Sequence, residues 1–296
     1  MSHQSIFEDC WEDAETRVAG LEDHLRLERV VDERFRVVGD EPGQPRTFFA
    51  RDVQDGAEVT LRLGLDGLEE ERDRAEVERD RSDFERACVA LLEVAGGPHL
   101  PEVVQAGCCA RFGPYLAYRR IAGPTLAEAL RVDGPLRGPE LRFLVDGLID
   151  ALRRVHGGGW VHAGIRPAHV VLRDGWEPVL VGFHSALPAG TELRDGPVDA
   201  RADVFALAAT LWAAATGRSP LIDEHGPALD ADMPMSFGLA LMGALELDPA
   251  KRPRDMRLFG AQLRGALRED ARHRRSGEMD VRGVRARLAE RANEVA

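Results

Sequence analysis

The chain has 296 residues, 44% of them apolar and 30% charged, with 51 acidic against 39 basic side chains and a formal net charge of −12. The length fits one large domain or two lobes, and the apolar share is enough for a proper core. The acidic balance argues against a nucleic-acid or anionic-membrane surface as the main partner.

The four cysteines, Cys10, Cys88, Cys108 and Cys109, show no Cys-x-x-Cys spacing and no framework of a small secreted domain, so a reducing cytosol is the expected setting. The adjacent Cys108 and Cys109 read as a buried-plus-exposed couple at a strand end rather than a redox pair. The N-terminus has no basic segment followed by an apolar one. The longest apolar run, Val204 to Thr216, is too short to span a bilayer and reads as a buried helix. A cytoplasmic location, with no membrane and no nucleic acid as partner, is expected. Lys251 is the sole lysine and Asn293 the sole asparagine, so arginine carries almost all the positive charge.

In chain order, Phe7, Trp11, Val18, Leu21 and Leu25 recur at roughly helical spacing and predict one or two short capping helices. From Phe35 the runs RFRVVG, RTFFARDV and AEVTLRLG, broken by Gly, Pro and Asp, predict a small antiparallel sheet with a hairpin turn at Gln54-Asp55-Gly56. Leu68 to Val94 reads as a helix with a solvated, charged first half. Its second half has Phe84, Cys88, Leu91 and Leu92 on one side, suited to packing on the sheet. Two further strands follow near Val103 and Tyr115, joined by a turn at Arg111-Phe112-Gly113. Beyond Gly123-Pro124, helices are predicted over Leu126–Leu130, Glu140–His156, Val204–Thr216, Phe237–Glu246 and Phe259–Leu267, with an amphipathic one over Val281–Ala296. The pattern is a bilobal α+β architecture without internal repeats.

The order of motifs from Arg34 to Leu267 resembles the bacterial Ser/Thr protein-kinase family. VTLRL (Val59–Leu63) stands where that family has its lysine strand. PYLAYRRIAGPTLAEAL resembles the hinge and first large-lobe helix, with Tyr118 in the gatekeeper place. VHAGIRPAHVVL resembles the catalytic loop, and GPVDARADVFALAATLWAAATGRSPL the segment ending in the large central helix. DPAKRP (Asp248–Pro253) resembles a late helix-turn motif whose arginine, here Arg252, anchors the activation segment. The resemblance implies a protein-kinase-like fold: a small antiparallel β lobe with one main helix, and a larger helical lobe. It divides the chain into a helical extension (1–33), N-lobe (34–118), hinge (119–123), C-lobe (124–267) and C-terminal helical extension (268–296).

Against that family, the chemistry is depleted. Phosphoryl transfer depends on charge neutralisation and positioning. The phosphate turn reads GDEPGQPRTF, where Pro42 and Pro45 remove donors and Asp40 and Glu41 repel an anion. Arg62 holds the lysine position; its helix partner is Ala87 or, in another register, Glu85. Gly164 replaces the catalytic aspartate, His169 the metal-binding asparagine, Gly182 the metal-binding aspartate, and Ala163 the arginine that meets a phosphorylated loop. Only Ser185 through Pro188 separate His184 from Ala189-Gly190-Thr191, the counterpart of the family's Ala-Pro-Glu, so the substrate loop is nearly absent. His162, Phe183, Asp203 and Arg252 match structural anchors, and Arg62, Tyr118, Arg119 and Ile121 line a vestigial nucleotide cleft.

The resemblance is therefore to a degenerate member, a pseudokinase. The expectation is no enzyme, no cofactor and no metal, with ATP binding absent or weak. The chain would then be a regulatory or scaffolding module for an unidentified protein partner. The alternative is a kinase-fold protein with residual metal-independent nucleotide binding, through Arg62, Arg119 and Arg120, or with repurposed nucleotidyl or phosphoryl transfer. Two plainer readings are also preferred to sharper ones. A transition-metal site on His162, His169 and His184 is set below structural roles for these rings. Asp174 is read as a turn residue rather than a relocated acid.

Overall fold

The computed structural model describes residues 30–41, 46–64, 74–109, 113–173, 176–194, 196–223, 226–228, 230 and 233–273. The helices read in 1–29 and 281–296, the start of the 68–94 helix, Pro42 and Pro45, and the turns at 111–112 and 174–175 lie outside the described residues.

Alternating apolar residues build one curled antiparallel sheet. Strands β1 (Val30–Val31), β2 (Phe35–Asp40), β3 (Thr47–Asp52), β4 (Glu58–Leu63), β5 (Val103–Cys109) and β6 (Gly113–Arg119) lie in the order β1-β2-β3-β4-β6-β5. Phe35, Val37, Phe48, Ala50, Val59, Leu61, Leu63, Tyr115 and Ala117 share one face and close a small core of their own, as a period of two requires. The pairs Thr60↔Tyr118 and Arg62↔Leu116 occupy the other face of β4 and β6. The predicted turn lies between β3 and β4: Gly56 is left-handed (φ +74°), and the Ala57 N–H donates to the Asp55 carboxylate at 2.9 Å.

Helix α1 (Arg74–Val94) puts Phe84, Ala87, Cys88, Ala90, Leu91 and Val94 into the large core that fills the helical lobe. Leu92, expected on that face, is only half-buried. The large core is built by α2 (Leu126–Asp133), α3 (Gly138–Gly157), α4 (Ala200–Thr216), α5 (Met235–Ala244) and a helix α6 over 256–273. A Thr125–Glu128 capping box starts α2. Along α3, Leu141, Leu144, Val145, Leu148, Leu152 and Val155 are buried at helical spacing. Helix α4 is apolar nearly all round because it runs through the centre. Helix α5 ends at Ala244, short of the predicted Glu246, because the carbonyls of Glu246 and Leu247 turn to accept from Arg252. Its first turn is capped from a distance: the Asp270 carboxylate of α6 accepts from the Ser236 and Phe237 N–H groups at 3.1 and 3.0 Å.

The lobes meet at the segment 119–123. Gly123 has φ +140°, and a Cβ there would lie 2.0 Å from the carbonyl oxygen of Leu172, so only glycine fits. Below it, β7 (Trp160–Val161), the hairpin β8 (Val170–Arg173) and β9 (Glu177–Leu180), and β10 (Leu187–Pro188) floor the cleft. The result is the α+β, bilobal, protein-kinase-like fold. None of its described helices is long and apolar enough to cross a membrane. Of the adjacent cysteines, Cys108 is exposed and disulfide-bonded while Cys109 is half-buried and free, so the two are not bonded to each other.

Candidate functional site

The loop after β7 hangs on one carboxylate. Asp203, fully buried near the start of α4, accepts from the backbone N–H of His162 (2.8 Å) and of Ala163 (2.9 Å), and stands 2.8 Å from His156 Nε2. These bonds hold Ala163 at φ +54°, an unfavourable value for a residue with a Cβ. Its exposed methyl group brings no charge to the place. The buried His162 ring packs edge-on against Phe183 with centroids 4.7 Å apart. Its Nε2 lies 3.0 Å from the Val181 carbonyl, and its Nδ1 accepts from the Gly164 N–H at 3.3 Å. Those two contacts require a neutral ring with the proton on Nε2. Burial lowers its pKa from 6.5 to about 4.

The next three positions interlock. His169 Nδ1 lies 2.6 Å from the Gly164 carbonyl oxygen, and its Nε2 accepts from Arg166 Nε at 3.0 Å. The ring is therefore neutral with its proton on Nδ1, and burial lowers its pKa, with Arg166 acting in the same direction. Gly182 is left-handed (φ +86°), and a Cβ on it would lie 2.5 Å from His169 Cγ and 2.7 Å from Nδ1. A side chain at 182 and the imidazole at 169 cannot share this space. At Gly164 a Cβ would meet Ser185 at 3.2 Å, a tight fit that a small shift would relieve. His184 stands 5.1 Å from His169, nearly perpendicular to it. The lone pairs of His162 Nδ1 and His169 Nε2 are both taken by N–H donors, so in this arrangement neither is offered to a metal.

The roof is set by β4 and β6. Arg62 lies 5.7 Å over the Phe84 ring and close enough to Cys88 and Tyr118 to act on both electrostatically. The α1 face that meets Arg62 is thus Phe84/Cys88. Ala87 is packed into the large core, and Glu85 pairs with Arg81 at 3.5 Å. Burial pushes the Cys88 thiol up and the Tyr118 phenol to about 12; the phenol also hydrogen-bonds Thr60. Arg119 binds Asp55 at 2.5 Å, Arg120 binds Glu58 at 2.7 Å while lying 4.1 Å over the Phe49 ring, and Ile121 is half-buried. The neighbouring Glu41 carboxyl is raised by burial, against the pull of Arg120.

Beyond the cleft, β10 pairs with β7 and a short hairpin joins Glu192–Leu193 to Gly196–Pro197. Arg252 reaches three carbonyls, of Glu246 (2.7 Å), Leu247 (3.1 Å) and Arg201 (3.3 Å), and lies 4.6 Å over Phe205. It ties the 245–252 turn to α4. Two participants lay beyond sequence reasoning: Arg166, which fixes His169, and Thr60, which holds Tyr118. Strand alternation put Thr60 on the Arg62 face of β4 and was the one available signal.

The chain is similar to bacterial serine/threonine protein kinases. It is 37% identical over 149 residues to the probable serine/threonine-protein kinase PkwA of Thermomonospora curvata, covering 44% of this chain and 20% of that protein. To the serine/threonine-protein kinase AfsK of Streptomyces griseus it is 28% identical over 176 residues, 48% of this chain and 22% of that one. To PknK of Mycobacterium tuberculosis it is 27% identical over 221 residues, 63% of this chain and 20% of that one. The chain thus spans about a fifth of the length of these relatives. No protein-family model matches it. These relatives correct the expectation that the chain is no enzyme: they are named as kinases, which points to an enzyme.

Proposed function

We propose that this is a kinase-related regulatory or scaffolding protein with a rebuilt cleft. Its working contact is with a protein partner, and any group transfer it carries out uses a route without carboxylates at 164 and 182. One observation carries the reading: the His169 ring fills the space that a side chain at Gly182 would need. Phosphoryl transfer in a kinase-like cleft rests on metal ions held by carboxylates and on a base that receives the acceptor proton. With glycine at both positions, neither group is supplied there. The fold's anchors, by contrast, are fully bonded: Asp203 accepts from two backbone N–H groups, and His162 packs on Phe183. A scaffold kept rigid around a refilled cleft suits recognition by shape.

The test is transfer from γ-labelled ATP to a generic protein acceptor in Mg²⁺, in Mn²⁺ and in EDTA. Removing a general base alone typically costs about 10²–10⁴-fold. The expected rate is therefore at least about 10²-fold below the roughly 1–100 s⁻¹ of protein kinases, with little dependence on metal. Mg²⁺-dependent turnover within that range would overturn the reading. Cross-linking in the native cell is expected to trap a partner in constant stoichiometry with the chain.

A further inference from the structure

Helix α5 lies at the surface without a polar face. Its ten residues, MSFGLALMGA, include no charged side chain, a composition expected of a helix buried all round. Phe237, Gly238, Leu241 and Ala244 do face the core. Met235 and Leu239, one turn apart on the other side, are 61% and 56% exposed, and Leu247, three residues past the helix end, is 54% exposed. Between them Gly243, one turn beyond Leu239, has open space where a Cβ would stand, so the apolar stripe carries a notch. The end of α6 lies close by. That helix runs to residue 273, and its Asp270, one turn from that end, accepts from the Ser236 and Phe237 N–H groups at 3.1 and 3.0 Å. The chain therefore leaves α6 beside the first turn of α5, at the Met235 end of the stripe.

We propose that the segment 281–296 folds back as a helix onto the exposed stripe of α5. In that segment Val281, Val284, Leu288, Ala292 and Val295 recur at spacings of three and four, which puts them on one helical face. Arg282, Arg287, Glu290 and Glu294 fall on the other. The lengths agree. Residues 274–280 span up to about 23 Å when extended, more than the roughly 8–10 Å between packed helix axes. Within that stretch Gly277 supplies a helix stop and Asp280 a helix start. A helix over 281–295 is about 22 Å long against about 15 Å for α5, so it reaches past Gly243 to Leu247. Starting beside Met235 it runs parallel to α5 and brings Leu288 opposite the Gly243 notch. The short tether holds the segment at an effective concentration of about millimolar, so a modest apolar contact is enough. A second copy of the chain fits less well, because a stable interface takes about 800 Å² per partner, far more than three half-exposed apolar side chains offer.

The experiment is amide hydrogen exchange, read by mass spectrometry, on the full chain and on its Leu239→Glu and Leu288→Glu variants. Amides of 281–296 are expected to exchange at least about tenfold more slowly than in a free peptide of that sequence, and to speed up about tenfold in either variant. Leu239→Met, which keeps the apolar contact, retains the protection and separates lost docking from lost folding; unfolding temperatures of all variants are measured alongside. Paired cysteines locate the contact. After mild oxidation, Leu239→Cys is expected to link to Val284→Cys or Leu288→Cys within one chain, and not to Glu290→Cys on the outer face. Free-peptide exchange over 281–296 in the parent protein overturns the proposal, as does protection that survives both glutamate variants. Links found only between chains, or a dimer that Leu239→Glu abolishes, assign the stripe to a second copy and also overturn it. None of these outcomes bears on the transfer assay for the cleft, so the two readings fail separately.

Discussion

The imidazole of His169 occupies the space of the side chain that Gly182 lacks: a Cβ at 182 would lie 2.5 Å from His169 Cγ. Each residue is what the other permits. Gly182 adds a left-handed backbone at φ +86°, which only glycine adopts without strain.

From this follows a coupled pair of substitutions. Gly182→Ala is expected to cost about 2–4 kcal/mol, from the clash together with the positive φ. His169→Ala removes the ring but leaves the Gly164 carbonyl and Arg166 without their partner. In the double variant the steric part of the loss disappears, so the two effects are non-additive by about 1–3 kcal/mol. Urea unfolding of the four proteins measures this, and strict additivity would show that the ring and the missing Cβ do not compete.

Asp203→Ala should be among the most damaging single changes. It removes the acceptor for two backbone N–H groups and the partner of His156, inside a fully buried setting. Orphaning buried donors costs about 1–3 kcal/mol each. Loss of cooperative unfolding, or a stability drop of more than about 3 kcal/mol, is expected. A drop below about 1 kcal/mol would mean that the 162–164 loop is held by something else.

The two tyrosines offer an optical test. Tyr115 is buried and bonded to Asp32 and Gln105, and its pKa is raised, chiefly by burial; burial also brings Tyr118 to about 12. Since the chain has only these two, the folded protein is expected to show almost no tyrosinate absorbance as the pH passes about 10, where free tyrosine ionises. The unfolded chain ionises there first. Stability is therefore full below about 10 and declines as pH rises toward 12. A normal titration at about 10 in protein still folded by circular dichroism would contradict the burial of both phenols.

Acid acts on His162. Its folded pKa lies below the unfolded value, 6.5 falling to about 4, so the unfolded chain binds the proton first. The neutral ring's contribution is intact above 6.5 and is lost as the pH falls toward 4, amounting to about 3 kcal/mol over that window. His169 and His184, also lowered, add in the same direction. By NMR, the His162 ring should still carry neutral shifts at about pH 5.5, where a free histidine is mostly protonated; a midpoint near 6.5 would place the ring in solvent.

Much of the fold was legible along the chain because it is local. The runs RFRVVG, RTFFARDV and AEVTLRLG became β2, β3 and β4, since alternate apolar side chains must face one core. The 3.6-residue spacing in Glu140–His156 became α3 for the same kind of reason. The glycines at 164 and 182 could be read off the sequence itself. What fills their places could not. That His169 claims the volume beside Gly182, that Arg166 fixes its tautomer, that Arg62 meets Phe84 and Cys88 rather than Ala87 or Glu85, and that Asp270 caps a helix begun 35 residues earlier at Met235 were decided by tertiary structure. Periodicity says which side of an element is buried. Which distant group shares a cavity with it depends on how the lobes close and which rotamers their packing leaves free.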